Sequence, residues 1–171
     1  MNLKDKLRHV LDFPKPGVDF IDITTVLSDP EAFHATIQQM EEAIRDLEVD
    51  LIIGSESRGF IMGAPLAYAM HKGFVPVRKK GKLPYKTVSV DYDLEYGQDH
   101  LEMHIDAIKP GQHVLVVDDL LATGGTAKAT CQLIESLGGI VEGLLFFIEL
   151  STEFNGRSVL KDYPVRSLVQ F

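Results

Sequence analysis

A single cysteine, Cys131, in 171 residues rules out an internal disulfide and any multi-cysteine metal knuckle. Long apolar runs are missing too. The strongly apolar stretches at residues 114–117 and 144–148 are four and five residues long, far below the roughly 20 that a membrane-spanning helix requires. The N-terminal segment MNLKDKLRHVLDF breaks its apolar residues with charges every second or third position, so it lacks the h-region of a signal peptide. These absences predict a cytoplasmic protein with no membrane partner. Basic residues are scarce as well: 17 Lys and Arg stand against 25 Asp and Glu, a net charge of −8. Such a balance repels polyanions at long range and argues against a nucleic-acid partner.

What is present is an ordinary globular composition, 45% apolar and 25% charged, with 14 Gly and 8 Pro. A chain of this length can bury roughly 70% of its unfolded surface, enough for a core without staples. No repeat, low-complexity tract or Pro/Ser/Gly-rich linker divides it, so residues 1–171 are read as one domain. One local exception to the acidity stands out. Arg78, Lys79, Lys80, Lys82 and Lys86 place five of the 17 basic residues in nine positions that hold no acid. In an acidic chain, that cluster suits a small anion.

The hydrophobic pattern predicts alternating helices and strands. FPKPGVDF, with two prolines and a glycine, reads as an irregular loop. Phe33, Ile37, Met40, Ile44 and Leu47 recur at helical spacing, after a start supplied by Ser28, Asp29, Pro30 and Glu31 with a cap and a capping box. Residues 51–53 read as a buried strand, followed by a helix from near Arg58 that Pro65 kinks or shortens. Residues 74–77 form another strand, and the alternation of Val88, Val90, Tyr92, Leu94 and Tyr96, resumed at Leu101, Met103 and Ile105, marks a half-exposed hairpin. A buried strand at 114–117, a helix with Thr126, Thr130, Leu133, Ile134 and Leu137 on one side, and strands at 140–150 and 165–169 complete the chain. Short apolar strands alternating with helices imply an α/β fold with a mostly parallel sheet, flanked by helices and binding ligands at the carboxyl ends of its strands.

The segment VLVVDDLLATGGT carries the strongest chemical signal. A buried strand delivers Asp118 and Asp119, and a small glycine-bearing turn then opens a helix. Backbone N–H groups of residues 123–126, with two threonine hydroxyls, make an anion cradle where the helix dipole contributes roughly 0.3–1 kcal/mol per charge. Neither the G-x-x-x-x-G-K-[ST] nor the G-x-G-x-x-G nucleotide loop is present. Ionised carboxylates only accept hydrogen bonds and a vicinal diol donates two, so acids just ahead of a phosphate cradle suit ribose 5-phosphate. A second junction, Gly54-Ser55-Glu56-Ser57-Arg58-Gly59, adds hydroxyls and an arginine whose planar fork grips phosphate oxygens. Together with the basic stretch, it implies a substrate with anionic groups at two ends of a ribose.

The strand-DDLLATGGT segment resembles the signature of the type I phosphoribosyltransferase family, which binds phosphoribosyl pyrophosphate (PRPP). FPKPGVDFIDIT, GSESRGF, VPVRKKGKLP, LEYG followed by LEMHIDAI, and VVDDLLATGGT occur in the order found in the adenine-specific branch, over about residues 11–150. The resemblance implies a single-domain type I fold, with residues 1–30 as a base-binding hood and 79–105 as a lid loop and hairpin. It implies transfer of the phosphoribosyl group from PRPP to N9 of adenine, giving AMP and pyrophosphate, in a homodimer. Mg²⁺ assists, held mainly by the substrate, with Asp118 and Asp119 nearby. By the same resemblance, Asp118 and Asp119 hold the ribose hydroxyls. Ala122, Thr123, Gly124, Gly125 and Thr126 hold the 5′-phosphate. Ser57, Arg58, Lys79 and Lys82 meet the pyrophosphate, and the Glu56–Ser57 junction corresponds to one that is often cis. Glu95 of LEYG matches an acid/base position that handles a proton at N7 of adenine. Adenine is expected beside Val18, Phe20, Ile21 and Leu121. Relatives often carry a basic residue where this chain has Ile21, so there only backbone contacts carry over.

Two competing readings remain open at this point: a phosphoribosyltransferase for another purine (xanthine, guanine or hypoxanthine), and a PRPP-binding regulator without catalysis. His100, Glu102 and His104 share a strand face at alternate spacing, a weak pattern for a transition-metal site. Cys131 reads as a packing residue.

Overall fold

In a computed structural model that describes residues 1–94 and 97–171, the chain separates into two compact units, Met1–Gln39 and Met40–Phe171. The first opens with a 3-10 turn, Leu3–Lys6, followed by strands β1 (Arg8–Leu11) and β2 (Asp19–Asp22). These strands pair antiparallel with Arg8 opposite Asp22 and Leu11 opposite Asp19. The sequence pattern predicts neither strand, and the loop expected over FPKPGVDF overlaps the start of β2. Neither alternates in hydrophobicity, and the pairing is closed from the FPKPG connection itself. There Phe13–Pro14 is cis, Gly17 takes φ +86, its N–H donates to Asp12 Oδ1 at 2.8 Å, and Phe13 meets Phe20 edge-to-face at 5.3 Å. A single turn, α1 (Thr24–Leu27), precedes α2 (Pro30–Ala43). Asp29 caps α2, its Oδ1 accepting from the N–H groups of Glu31 and Ala32. The fully buried line of α2 is Ala32, Thr36 and Met40, continued by Ile44. It lies one position off the expected Phe33–Ile37 line, whose two residues are half-buried: the closest face of α2 is taken by the small Ala32 and Thr36.

The second unit holds β3 (Leu51–Ser55), α3 (Arg58–Ala69), β4 (Gly73–Lys79), β5 (Thr87–Leu94), β6 (Gly97–His104), β7 (His113–Leu121), α4 (Gly125–Ser136), β8 (Ile140–Glu149), α5 (Gly156–Val159) and β9 (Val165–Gln170). Its seven strands run in the order β5-β6-β4-β3-β7-β8-β9. The five from β4 to β9 pair parallel, while the β5–β6 hairpin is added antiparallel at one edge. Ile53, Val116, Leu144 and Phe146 share a core with Ala127, Cys131 and Ile134 of α4. On α3, Gly63 sits against Phe74 and Ile52. The sheet is thus fed by helices, as the buried apolar runs predict. Pro65 does not shorten α3, which spans 12 residues and continues to Ala69. The carbonyl that loses its donor belongs to Ile61, an exposed residue where water can replace the bond. At the other helix, Gly138 closes α4 in the left-handed region at φ +80.

Strand order places the site. From β3 the chain moves outward to β4, then returns to lay β7 on the other flank of β3. The carboxyl ends of β3 and β7 therefore flank a topological switch point, where parallel sheets leave a crevice.

Candidate active site

β7 is longer than the expected strand at 114–117, and Asp118 and Asp119 lie within it rather than past its end. On one flank it pairs with β8 as far as Leu121 opposite Glu149; on the other, β3 ends its pairing at Gly54 opposite Val117. The four residues after Val117 thus keep a satisfied backbone on one side and face the start of α3 on the other. A cleft of about 380 Å³ opens there. Ser55, Ser57, Arg58, Asp118, Asp119, Leu121, Ala122, Thr123, Gly124, Gly125 and Thr126 all line it. Two widely separated motifs, expected at the two ends of one ligand, are therefore brought together.

The paired acids are held differently. Ser55 Oγ donates to Asp118 Oδ2 at 2.7 Å and the Asp119 N–H to Oδ1 at 2.9 Å. Desolvation, then the neighbouring Asp119, push the Asp118 carboxyl up from the usual carboxylate range. Asp119 is buried, and Arg58 Nε lies 2.7 Å from its Oδ2. Gly59 lets α3 approach the other acid, for a Cβ there would stand 2.9 Å from Asp118 Oδ1.

The cradle follows at once. Gly124 caps α4 at φ +85, a conformation that L side chains rarely adopt, and a Cβ there would also meet the Gly156 carbonyl at 2.9 Å. First-turn N–H groups of α4 have no partner inside the helix, and Ser57 likewise caps α3 directly after the cis Glu56–Ser57 bond. Two helix N-termini, each of a 12-residue helix, thus meet at one cleft. That arrangement accepts anions at both ends.

Lys79 and Lys82 are outside the cleft lining but tied to it. Glu56, a lining residue, accepts the Lys79 N–H at Oε1 (2.5 Å) and pairs through Oε2 with Lys82 Nζ at 2.9 Å. Lys79 Nζ pairs with Asp99 at 2.8 Å. In the first unit, Val18 precedes β2, where Phe20 and Ile21 stand opposite Val10 and His9; all three are half-buried. Glu95 lies outside the described residues. On the hairpin, His100 bonds Asp91, Glu102 accepts from the Gly81 N–H, and His104 Nε2 accepts from the Tyr85 N–H. Cys131 is fully buried, and burial pushes its thiol up to about 12, which leaves it an unreactive packing residue.

Three contributors have roles that the sequence alone does not assign, two of them inside the Gly54–Gly59 junction. Ser55 orients Asp118, and a hydroxyl at the last position of a buried strand was the available signal. Glu56 gathers the basic stretch. Gly156 forms the floor of the cradle, for a Cβ there would run into the Ala122 carbonyl and the Leu121 side chain. Its segment is anchored by Arg157, which donates to Glu149 through Nε (2.7 Å) and Nη2 (2.8 Å) and to the Val165 carbonyl (2.8 Å). Nothing in residues 155–157 signals this, because their partners come from β8 and β9.

The phosphoribosyl transferase domain family matches residues 22–154. The adenine phosphoribosyltransferase of Caldicellulosiruptor saccharolyticus is 64% identical over 171 residues, covering 100% of this chain and 97% of that relative. That of Ruminiclostridium cellulolyticum is 64% identical over 172 residues and the full length of both. Among solved structures, adenine phosphoribosyltransferase from Thermoanaerobacter pseudethanolicus superposes with a TM-score of 0.96 at 51% identity, over 99% of this chain and 98% of that one. The Saccharomyces cerevisiae enzyme, crystallised with an imino-altritol bisphosphate and adenine, gives 0.89 at 41% identity over 95% and 94%. The cradle, the two converging helix starts and these full-length similarities agree, and the chain belongs to the adenine phosphoribosyltransferase family.

Proposed function

We propose that the chain transfers the 5-phosphoribosyl group of PRPP to N9 of adenine, giving AMP and pyrophosphate, with the β7–α4 junction as the seat of the sugar phosphate. The observation that carries this reading is the direct succession of Asp118, Asp119 and the cradle at 122–126 at the switch point of the sheet. The N–H groups of the cradle hold the 5′-phosphate, and Asp118 and Asp119 accept hydrogen bonds from the ribose hydroxyls. Ser57 and Arg58, at the start of α3, meet the pyrophosphate, joined by Lys79 and Lys82. We assign adenine to Val18, Phe20, Ile21 and Leu121, with Phe20 offering its ring and the backbone at 19–21 reading the base edge. Adenine in the Saccharomyces cerevisiae complex supports that base here.

The mechanism follows from charge. Rupture of the C1′–O bond leaves an oxocarbenium-like sugar and a departing polyanion, so Arg58, the lysines and the two helix starts stabilise negative charge as it grows. Asp118 and Asp119 fit Mg²⁺, which takes one or two carboxylates together with substrate phosphates; when bound, it neutralises charge on the phosphate oxygens. The segment 79–105 closes as a lid against water. Glu95 handles the proton at N7 as N9 attacks. The chain works as a cytoplasmic homodimer in this reading, supported by the family to which it belongs; sedimentation analysis tests the assembly.

The experiment is to mix the protein with PRPP, Mg²⁺ and each purine in turn and measure released pyrophosphate. Adenine drives release. Hypoxanthine and guanine lag, by as much as about 10⁴–10⁵ where a required hydrogen bond is missing. A hypoxanthine rate equal to that of adenine contradicts the assignment, and no release with any purine contradicts catalysis. Glu95→Gln lowers turnover by roughly 10²–10⁴ with PRPP binding retained; normal turnover removes Glu95 from the mechanism.

A further inference from the structure

Each cation assigned to the pyrophosphate is already held by a carboxylate of this chain. Arg58 pairs with Asp119 at 2.7 Å, Lys82 with Glu56 at 2.9 Å and Lys79 with Asp99 at 2.8 Å. Asp119 and Glu56 belong to the cleft lining; Asp99 does not, and no motif of the sequence accounts for it. It sits on β6 opposite Tyr92 of β5. Its carboxylate is fixed from two sides: the His100 N–H donates to Oδ1 at 2.9 Å, and the Tyr92 hydroxyl donates to Oδ2 at 3.3 Å. That same hydroxyl stands 3.2 Å from Thr126 Oγ1 in the cradle, so Asp99 is registered to the phosphate site.

Lys79 is the movable partner. Its backbone N–H is pinned by Glu56, which leaves a flexible four-carbon stem to swing an ammonium between acceptors. The side chain is 54% exposed, and exposed ion pairs are weak enough to exchange. The hydrogen bond between the two groups raises the Lys79 pKa and lowers that of Asp99, a consistent sign of a charged pair.

We propose that Asp99 is a positioning residue that holds the Lys79 ammonium beside the cleft and competes with pyrophosphate for it, setting pyrophosphate affinity and recovering the lysine as that product leaves. This rests on the functional reading above, in which Lys79 meets pyrophosphate.

The test is calorimetric titration of magnesium pyrophosphate into the wild type, Asp99→Asn, Lys79→Met and the double variant. Asp99→Asn binds about 1.5- to fivefold tighter, the range expected on releasing an exposed pair. Asp99→Ala moves the same way. With Lys79→Met in place, Asp99→Asn adds no further change. Unchanged or weaker binding by Asp99→Asn overturns the proposal. So does an equal tightening in the Lys79→Met background, which assigns the gain to loss of negative charge alone. If the wild type makes AMP from adenine and PRPP while Asp99→Asn gains nothing, this inference alone fails. If the wild type binds no pyrophosphate and makes no AMP, the functional reading fails with it.

Discussion

Asp118 concentrates the tension between folding and function in one side chain. Its carboxyl is desolvated beside a second acid, and its pKa is raised in the folded protein. For a raised carboxyl the sign runs against stability. The unfolded chain loses the proton near the ordinary value of 3.8, the folded one only at higher pH, and the penalty accrues between the two and stays constant above both. Asn at this position keeps an acceptor for the Asp119 N–H and a donor for Ser55 Oγ. Asp118→Asn is therefore expected to stabilise the ligand-free protein at pH 8 by about 0.5–2 kcal/mol, with the gain vanishing toward pH 3.5. Thermal melts across that range check it; a melting point lowered at pH 8 contradicts it. The same variant loses PRPP turnover, because a diol acceptor is gone.

Among elements, the floor of the cradle is the least expected part. The Asn155-Gly156-Arg157 segment opens α5, a helix of four residues, yet Glu149 and Arg157 lock it at the end of β8. Glu149 is buried, and the Arg157 hydrogen bond, followed by Ser167, holds its carboxyl below the ordinary value of 4.5. A lowered carboxyl contributes stability above that value and loses it as pH falls through the folded pKa. Glu149→Gln is expected to cost about 1.5–3 kcal/mol at pH 7, toward the low end because Arg157 is 44% exposed. Melts of the two proteins converge below pH 4. A gap that persists undiminished at pH 3.5 contradicts the charged pair. Such elements were illegible in the sequence because their partners are distant in the chain. The buried strands were legible, since residues 51–53, 114–117 and 144–148 are apolar throughout. The true end of β7 was not: Asp118 and Asp119 look like strand breakers, but pairing with β8 carries the backbone onward. For the site, the DD-to-TGGT succession was readable because one local segment supplies both acids and cradle. Ser55, Glu56, Asp99 and Gly156 act through side chains or backbone that only the sheet order brings near.

For the whole molecule, net charge and local charge point opposite ways. A chain of −8 binds a polyanion only where helix starts and cations are concentrated. The helix starts and Arg58 fall at the switch point of the sheet, Lys79 and Lys82 are tied to it through Glu56, and each of the three cations is balanced by an acid of the chain. The central claim is that the sugar phosphate sits at the β7–α4 junction. A crystal structure of the protein with AMP tests it most directly. The account predicts the phosphate within about 3 Å of the N–H groups of residues 123–126, with the ribose hydroxyls on Asp118 and Asp119; a phosphate bound elsewhere, with those N–H groups facing water, would contradict it.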